Sequence, residues 1–206
     1  MKLPWMSRSD RRRWKAASTL AELGQLMALW LEGAIGSRPG YQPRYGPDEE
    51  TAELIPTLVA CNRAGFVTDV SQPGLEGDAW DGSPWNQRAA VQGFIGDEDL
   101  LHRVMDAAQS AGLQVIVHGP GFTDLAGPTI VTTWDGEDYT AFGEKIPARH
   151  LRVMFGGCNR RAVRAVSGSW QVAIIDPVWG RDDVLWPALD AAIGRTAATK
   201  SPEVAA

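Results

Sequence analysis

At 206 residues, with 44% apolar and 22% charged side chains, the chain can bury a full core and reads as one globular domain. A net charge of −5 gives no general electrostatic reason to bind nucleic acid, and the longest apolar runs, such as Leu26 to Leu31, are far too short to span a bilayer. Two cysteines, Cys61 and Cys158, without a CxxC spacing support no disulfide framework, so reduced thiols in a cytoplasmic protein are the expectation.

The predicted organisation is a flexible basic segment over 1–15, a single α/β domain over 16–195 and a disordered tail over 196–206. The first segment carries charges with no apolar h-region behind them, so no secretory signal is read. Its run Arg8-Ser-Asp-Arg-Arg-Arg-Trp-Lys15 is a solvated tail or helix start, or else a docking arm for an acidic partner. From Trp14 to Leu31, apolar residues recur at spacings near three and four, which predicts a helix. Ser18 or Thr19 with Glu22 can form a capping box at its start. The segment 37–47 holds three prolines and two tyrosines and is a lid or a crossover loop.

Asp48 opens a second helix that Pro56 kinks or truly starts, and Gly65 closes it. A strand over Phe66–Val70 follows, then a loop, then a strand over Ala89–Ile95. Asp97 to Ala111 is a helix, and Gln114–His118 and Thr129–Trp134 are strands, the second ending in an Asp135-Gly136 turn. Leu151–Phe155 is a further strand candidate. Asn159 to Val166 is a short helix, Gln171–Asp176 a strand and Arg181 to Ile193 a final helix. From residue 89 this order is β-α-β-β-α-β, a ferredoxin-like core with two extra N-terminal helices and one extra strand. A doubly wound sheet is the alternative. The short connection between 114–118 and 129–134 favours a mixed sheet.

Ligand-binding candidates sit at strand ends. Ser71, Gln72 and Gly74 follow one strand as a turn whose hydroxyl, amide and backbone N–H groups can bind a phosphate or a base edge. Gln87 and Arg88 precede the next strand, where the guanidinium offers a planar fork. Trp179 and Arg181 follow the last strand as a stacking wall and an anion contact, with Asp182 or Asp183 as helix caps. Four of the nine tryptophans, Trp80, Trp85, Trp134 and Trp179, fall beside turn residues. His118 is a candidate general base, with Asp135 or Glu137 as the acid. Cys158, near a helix start, is a buried or incidental thiol first, and a thiol of lowered pKa as the lesser reading. No metal-ligand spacing, no phosphate-loop or dinucleotide fingerprint and no nucleophile-elbow motif occurs, and no cofactor or metal is implied.

The runs Asn62-Arg-Ala-Gly-Phe-Val-Thr, Ser71-Gln-Pro-Gly74, Gln87-Arg-Ala-Ala-Val-Gln-Gly-Phe94 and Asp176-Pro-Val-Trp-Gly-Arg181 together resemble an uncharacterised family of actinomycetes and their phages. The resemblance implies such a setting and no particular activity. Three functions follow as expectations. The first is binding of a nucleotide-like small molecule, as in a phage protein that sequesters a host signalling nucleotide. The second is a phosphodiesterase or glycohydrolase acting on such a ligand. The third is a protein-interaction adaptor using 8–15 and 38–47. Self-association into a homo-oligomer is left open.

Overall fold

The computed structural model describes residues 6–195. The first helix, α1, spans Arg8–Ala16, and α2 spans Leu20–Leu31. A 3₁₀ turn over Glu49–Leu54 leads into α3 (Ile55–Ala64). Four strands follow: β1 (Phe66–Gln72), β2 (Leu75–Asp78), β3 (Pro84–Gln87) and β4 (Ala90–Ile95). Then come α4 (Glu98–Ser110), β5 (Gln114–His118), β6 (Thr129–Trp134) and β7 (Glu137–Phe142). The chain closes with α5 (Ala148–Met154), α6 (Arg160–Ser167), β8 (Trp170–Ile175) and α7 (Leu185–Ala192).

Two four-stranded sheets form, in the orders β1-β4-β8-β5 and β2-β3-β6-β7, and every hydrogen-bonded pair in both is antiparallel. The class is mixed α/β, as the sequence indicates. The ferredoxin-like order, the mixed sheet and the doubly wound alternative are all corrected. Thr129–Trp134 does not join the sheet of 114–118; it pairs with β3 and β7 in the second sheet. The reason is its partner strands. β2 and β3 are four residues each, rich in Gly, Asp and Pro and largely exposed, and so read as loop in the sequence.

Burial alternates along the central strands as a sheet covered on both faces requires. Val91, Val117, Val172 and Ile174 enter the large core shared with the helices, whereas Ala90, Ile116, Ala173 and Ile175 enter a smaller core with Val131 and Phe142 of the second sheet. Three layers result: helices, first sheet, second sheet. The chain leaves the first sheet at Gln72, makes the β2–β3 hairpin in the second, and returns at Ala90.

Local signals explain the helices. The expected long helix 14–31 is two, broken at 17–19, where Thr19 caps α2 and Glu22 completes a capping box. Pro56 marks the true start of α3, and Gly65 ends it with φ 106°. Where a flexible arm is expected over 1–15, residues from Arg8 form a helix capped by Ser7, with Trp14 buried and its indole donating to Ser37 O. The 151–155 strand is corrected to helix α5. Leu151 and Phe155, four apart, are buried, while Val153 between them is 76% exposed. The expected tail from 196 lies outside the described residues.

Candidate functional site

The corner where the chain changes sheets gathers most of the residues singled out in the sequence. A corner interrupts the backbone ladders, and carbonyls left there need other partners. Gln72 Nε2 donates to Arg88 O at 2.9 Å and to Val131 O at 3.0 Å, and its Oε1 accepts from Thr132 Oγ1. Gln87 Nε2 donates to Pro73 O at 3.0 Å, and its Oε1 accepts from the Trp85 indole. Gly180 N closes onto Gln87 O. Gly74 N donates to Asp182 Oδ1, which also accepts from the Trp186 indole. Asp182 is therefore spent on the corner and does not cap α7, which starts at Leu185, later than the predicted 181.

Arg181 makes a two-pronged contact with Asp176, at 2.8 and 2.7 Å, and that carboxylate is fully buried. The Arg88 guanidinium lies 4.1 Å from the centroid of the Trp179 ring and donates to Ile130 O, although its Nε has no partner. The structure thus brings Gln72, Gly74, Gln87, Arg88, Trp179 and Arg181 to one place. It also occupies them there: each polar group named, apart from Arg88 Nε, already holds a protein partner. Ser71 is separate, at the rim of a cavity of ≈ 110 Å³ beside Arg38, Tyr41 and Asp69. There Arg38 pairs with Asp69 at 3.2 Å and lies over both the Trp30 and Tyr41 rings, at 4.9 and 4.8 Å from their centroids. With the Trp14 indole bonded to Ser37 O and the Trp30 indole to Tyr45 O, the 37–47 segment is pinned to the body.

His118 is buried, and both ring nitrogens are engaged. Nδ1 accepts from Asp124 N at 3.0 Å, which fixes the proton on Nε2, where it is donated to Gly143 O at 2.8 Å. No lone pair is left to take a substrate proton. Asp135 and Glu137 form the β6–β7 turn, with Asp135 at φ 52° and Gly136 at φ 78°, and line a different pocket from His118. Burial pushes the Cys158 thiol up to about 11 and Cys61 up to about 12, so of the two readings for Cys158 the buried thiol holds and the lowered pKa does not.

A different region holds cations that no carboxylate among the described residues engages. Arg152 of α5 with Arg160 and Arg164 of α6 line a groove of ≈ 500 Å³, walled by Phe155 and Val163. Gly156, Gly157 and Cys158 continue into an adjoining groove of ≈ 450 Å³ lined by Met6, Arg11 and Lys15. Among the described residues none of these five cations lies within 4 Å of a carboxylate oxygen. The signal for this site is in the sequence, since residues 148–164 carry five arginines and no acid. With the five cations of 8–15 they make half of the chain's 20. Sequence spacing alone does not reveal that the two basic stretches meet.

A three-layer, two-sheet protein of mixed α/β class, with a polar corner joining the sheets and a cationic groove on its helical side, is what these elements define. The chain belongs to the family described as a domain of unknown function (DUF6919), whose model matches residues 9–196. No curated protein matches it. Among the described residues no helix is long and apolar enough to cross a membrane.

Proposed function

We propose that the protein binds a phosphate-bearing, nucleotide-like small molecule in the groove between α1 and the α5–α6 pair. The observation that supports this is the set Arg11, Lys15, Arg152, Arg160 and Arg164, lining adjoining grooves without carboxylate partners among the described residues. One exposed ion pair contributes only about 0.2–1 kcal/mol, so affinity for an anion needs several cations directed at one group. Five are in place, inside a protein of net charge −5. The volumes fit a small-molecule site of roughly 300–1,000 Å³, and Phe155 and Val163 offer the apolar wall that a base or sugar needs. The corner around Gln72 and Arg88 has less to offer a ligand, because binding there would first break protein hydrogen bonds.

Sequestration of a host signalling nucleotide, as an anti-defence protein of a phage would perform it, needs binding and no turnover. Hydrolysis has less support, because the His118 ring is fully engaged. Docking of an acidic protein on the same face is a second reading, favoured by the exposure of Arg8 and Arg12 on α1. A capture experiment with Arg8→Glu/Arg12→Glu separates it from the first.

Thermal-shift and calorimetric titrations with linear, cyclic and ADP-ribose-derived nucleotides test the proposal. Nucleotides raise the midpoint, the matching nucleosides do not, and the effect shrinks with salt. Absence of any nucleotide effect, or equal effects from nucleosides, overturns it.

A further inference from the structure

On the second sheet, far in character from the cationic groove, four aromatic rings share one outward face. Trp85 of β3 stands opposite Trp134 of β6, and Tyr139 of β7 packs edge-on to both, with centroids at 5.4 and 5.5 Å. Trp80, in the β2–β3 loop, leans on Trp134 at 6.4 Å and is 90% exposed; Tyr139 is 56% exposed. Aromatic side chains of this size bury roughly 150–250 Å² each when covered, and monomeric proteins rarely leave such groups clustered in water without a use. The surroundings define the chemistry. The pocket of ≈ 340 Å³ at this cluster is lined by Asp81, Asp135, Glu137 and Asp138, with no basic residue. Hydrogen bonds from Ser83 hold the Asp81 carboxyl below its usual range, so it stays ionised.

Elsewhere the chain fills aromatic faces with its own guanidinium groups, Arg38 on Trp30 and Tyr41 and Arg88 on Trp179. Among the described residues, none of the chain's own guanidinium or ammonium groups lies over Trp80, Trp85, Trp134 or Tyr139. We propose that this face is a docking site for a cationic peptide segment, with a lysine or arginine head group against the rings and the four carboxylates around it. Ring quadrupole and carboxylate charge act on the same cation, which favours a positive segment over a neutral or acidic one. Nucleic acid is disfavoured by the same carboxylates.

The test uses the full chain and a synthetic Lys/Arg-rich peptide, with its lysine-acetylated, arginine-to-citrulline counterpart as the neutral control. Tryptophan fluorescence and calorimetry report binding. The proposal expects saturable binding of the cationic peptide, weakened at least about tenfold by Trp80→Ala and by Glu137→Gln/Asp138→Asn, and weakened by salt. Trp80 is almost wholly exposed, so its removal leaves the fold intact, which an unchanged unfolding midpoint checks. The neutral peptide does not bind. Equal binding of both peptides, binding indifferent to Trp80→Ala, or no binding overturns the proposal. So does self-association that Trp80→Ala abolishes, which would give the face to a second copy of the chain. Because Arg152→Glu leaves this face untouched, retention of peptide binding in that variant separates this proposal from the nucleotide groove.

Discussion

The corner between the sheets and the groove beside α6 are both rich in arginine and glycine, yet they use them in opposite ways. At the corner, Gln72, Gln87, Arg88 and Arg181 point at backbone carbonyls, a tryptophan ring and a buried carboxylate. In the groove, Arg152, Arg160 and Arg164 point at no carboxylate among the described residues. Polar residues at strand ends look the same in a sequence whether they hold a ligand or replace the missing rungs of a ladder. The difference is whether the fold has already satisfied them. Satisfied groups report on stability, and unsatisfied exposed ones report on partners.

Substitutions sharpen that contrast. Reversing the groove charges with Arg152→Glu/Arg160→Glu/Arg164→Glu lowers nucleotide affinity by about a hundredfold or more, as loss of several charge-assisted contacts does. Urea unfolding of that variant stays close to that of the parent, because the three side chains are exposed. Gln72→Ala does the reverse. It strands Arg88 O and the Thr132 hydroxyl in a buried corner, while Val131 O keeps its bond from Arg88 N, and costs about 2–4 kcal/mol in urea unfolding, with nucleotide affinity unchanged. Gly74→Ala acts at the same corner by crowding, since a Cβ there would collide with the backbone carbonyl of Arg181. Overpacking of this kind costs about 1–3 kcal/mol, measured by the same unfolding curve.

The smallest effect concerns the thiols. Both are raised by burial in the folded state, to about 11 for Cys158 and about 12 for Cys61. The unfolded chain therefore loses these protons first as pH rises. Their contribution to stability is intact below pH 9, the ordinary value of an exposed thiol, and declines as pH climbs from there through the folded values. Unfolding curves between pH 8 and 11 check the sign. At pH 8 both thiols alkylate slowly in the native protein, with the half-buried Cys158 reacting faster than Cys61.

How much of this was legible depends on where the governing physics is local. The Thr19–Glu22 capping box, Gly65 after α3, the amphipathic α4 and the Asp135-Gly136 turn are set by neighbours a few residues apart, and the sequence displays them. Sheet membership is not local. β6 reads as a strand from its Thr, Ile and Val, but its partner β3 is a four-residue Pro-Trp-Asn-Gln segment with no strand pattern of its own. At 151–155 the alternation of Leu151, Val153 and Phe155 mimicked a strand, while the pair that is buried is four apart. The convergence of Gln72, Gln87, Arg88 and Trp179 was readable, because a family of polar strand ends flanked one chain excursion. Their occupation by carbonyls of Arg88, Pro73 and Val131 was not, since those partners leave no trace in composition.

A nucleotide titration followed by amide and tryptophan indole chemical shifts tests the central claim most directly. If the cations left without carboxylate partners make the site, shifts concentrate on Arg11, Lys15, Gly156 to Arg160 and Arg164, while Gln72, Arg88 and Trp179 stay silent. Shifts centred on those last three, or none anywhere at saturating nucleotide, would contradict it.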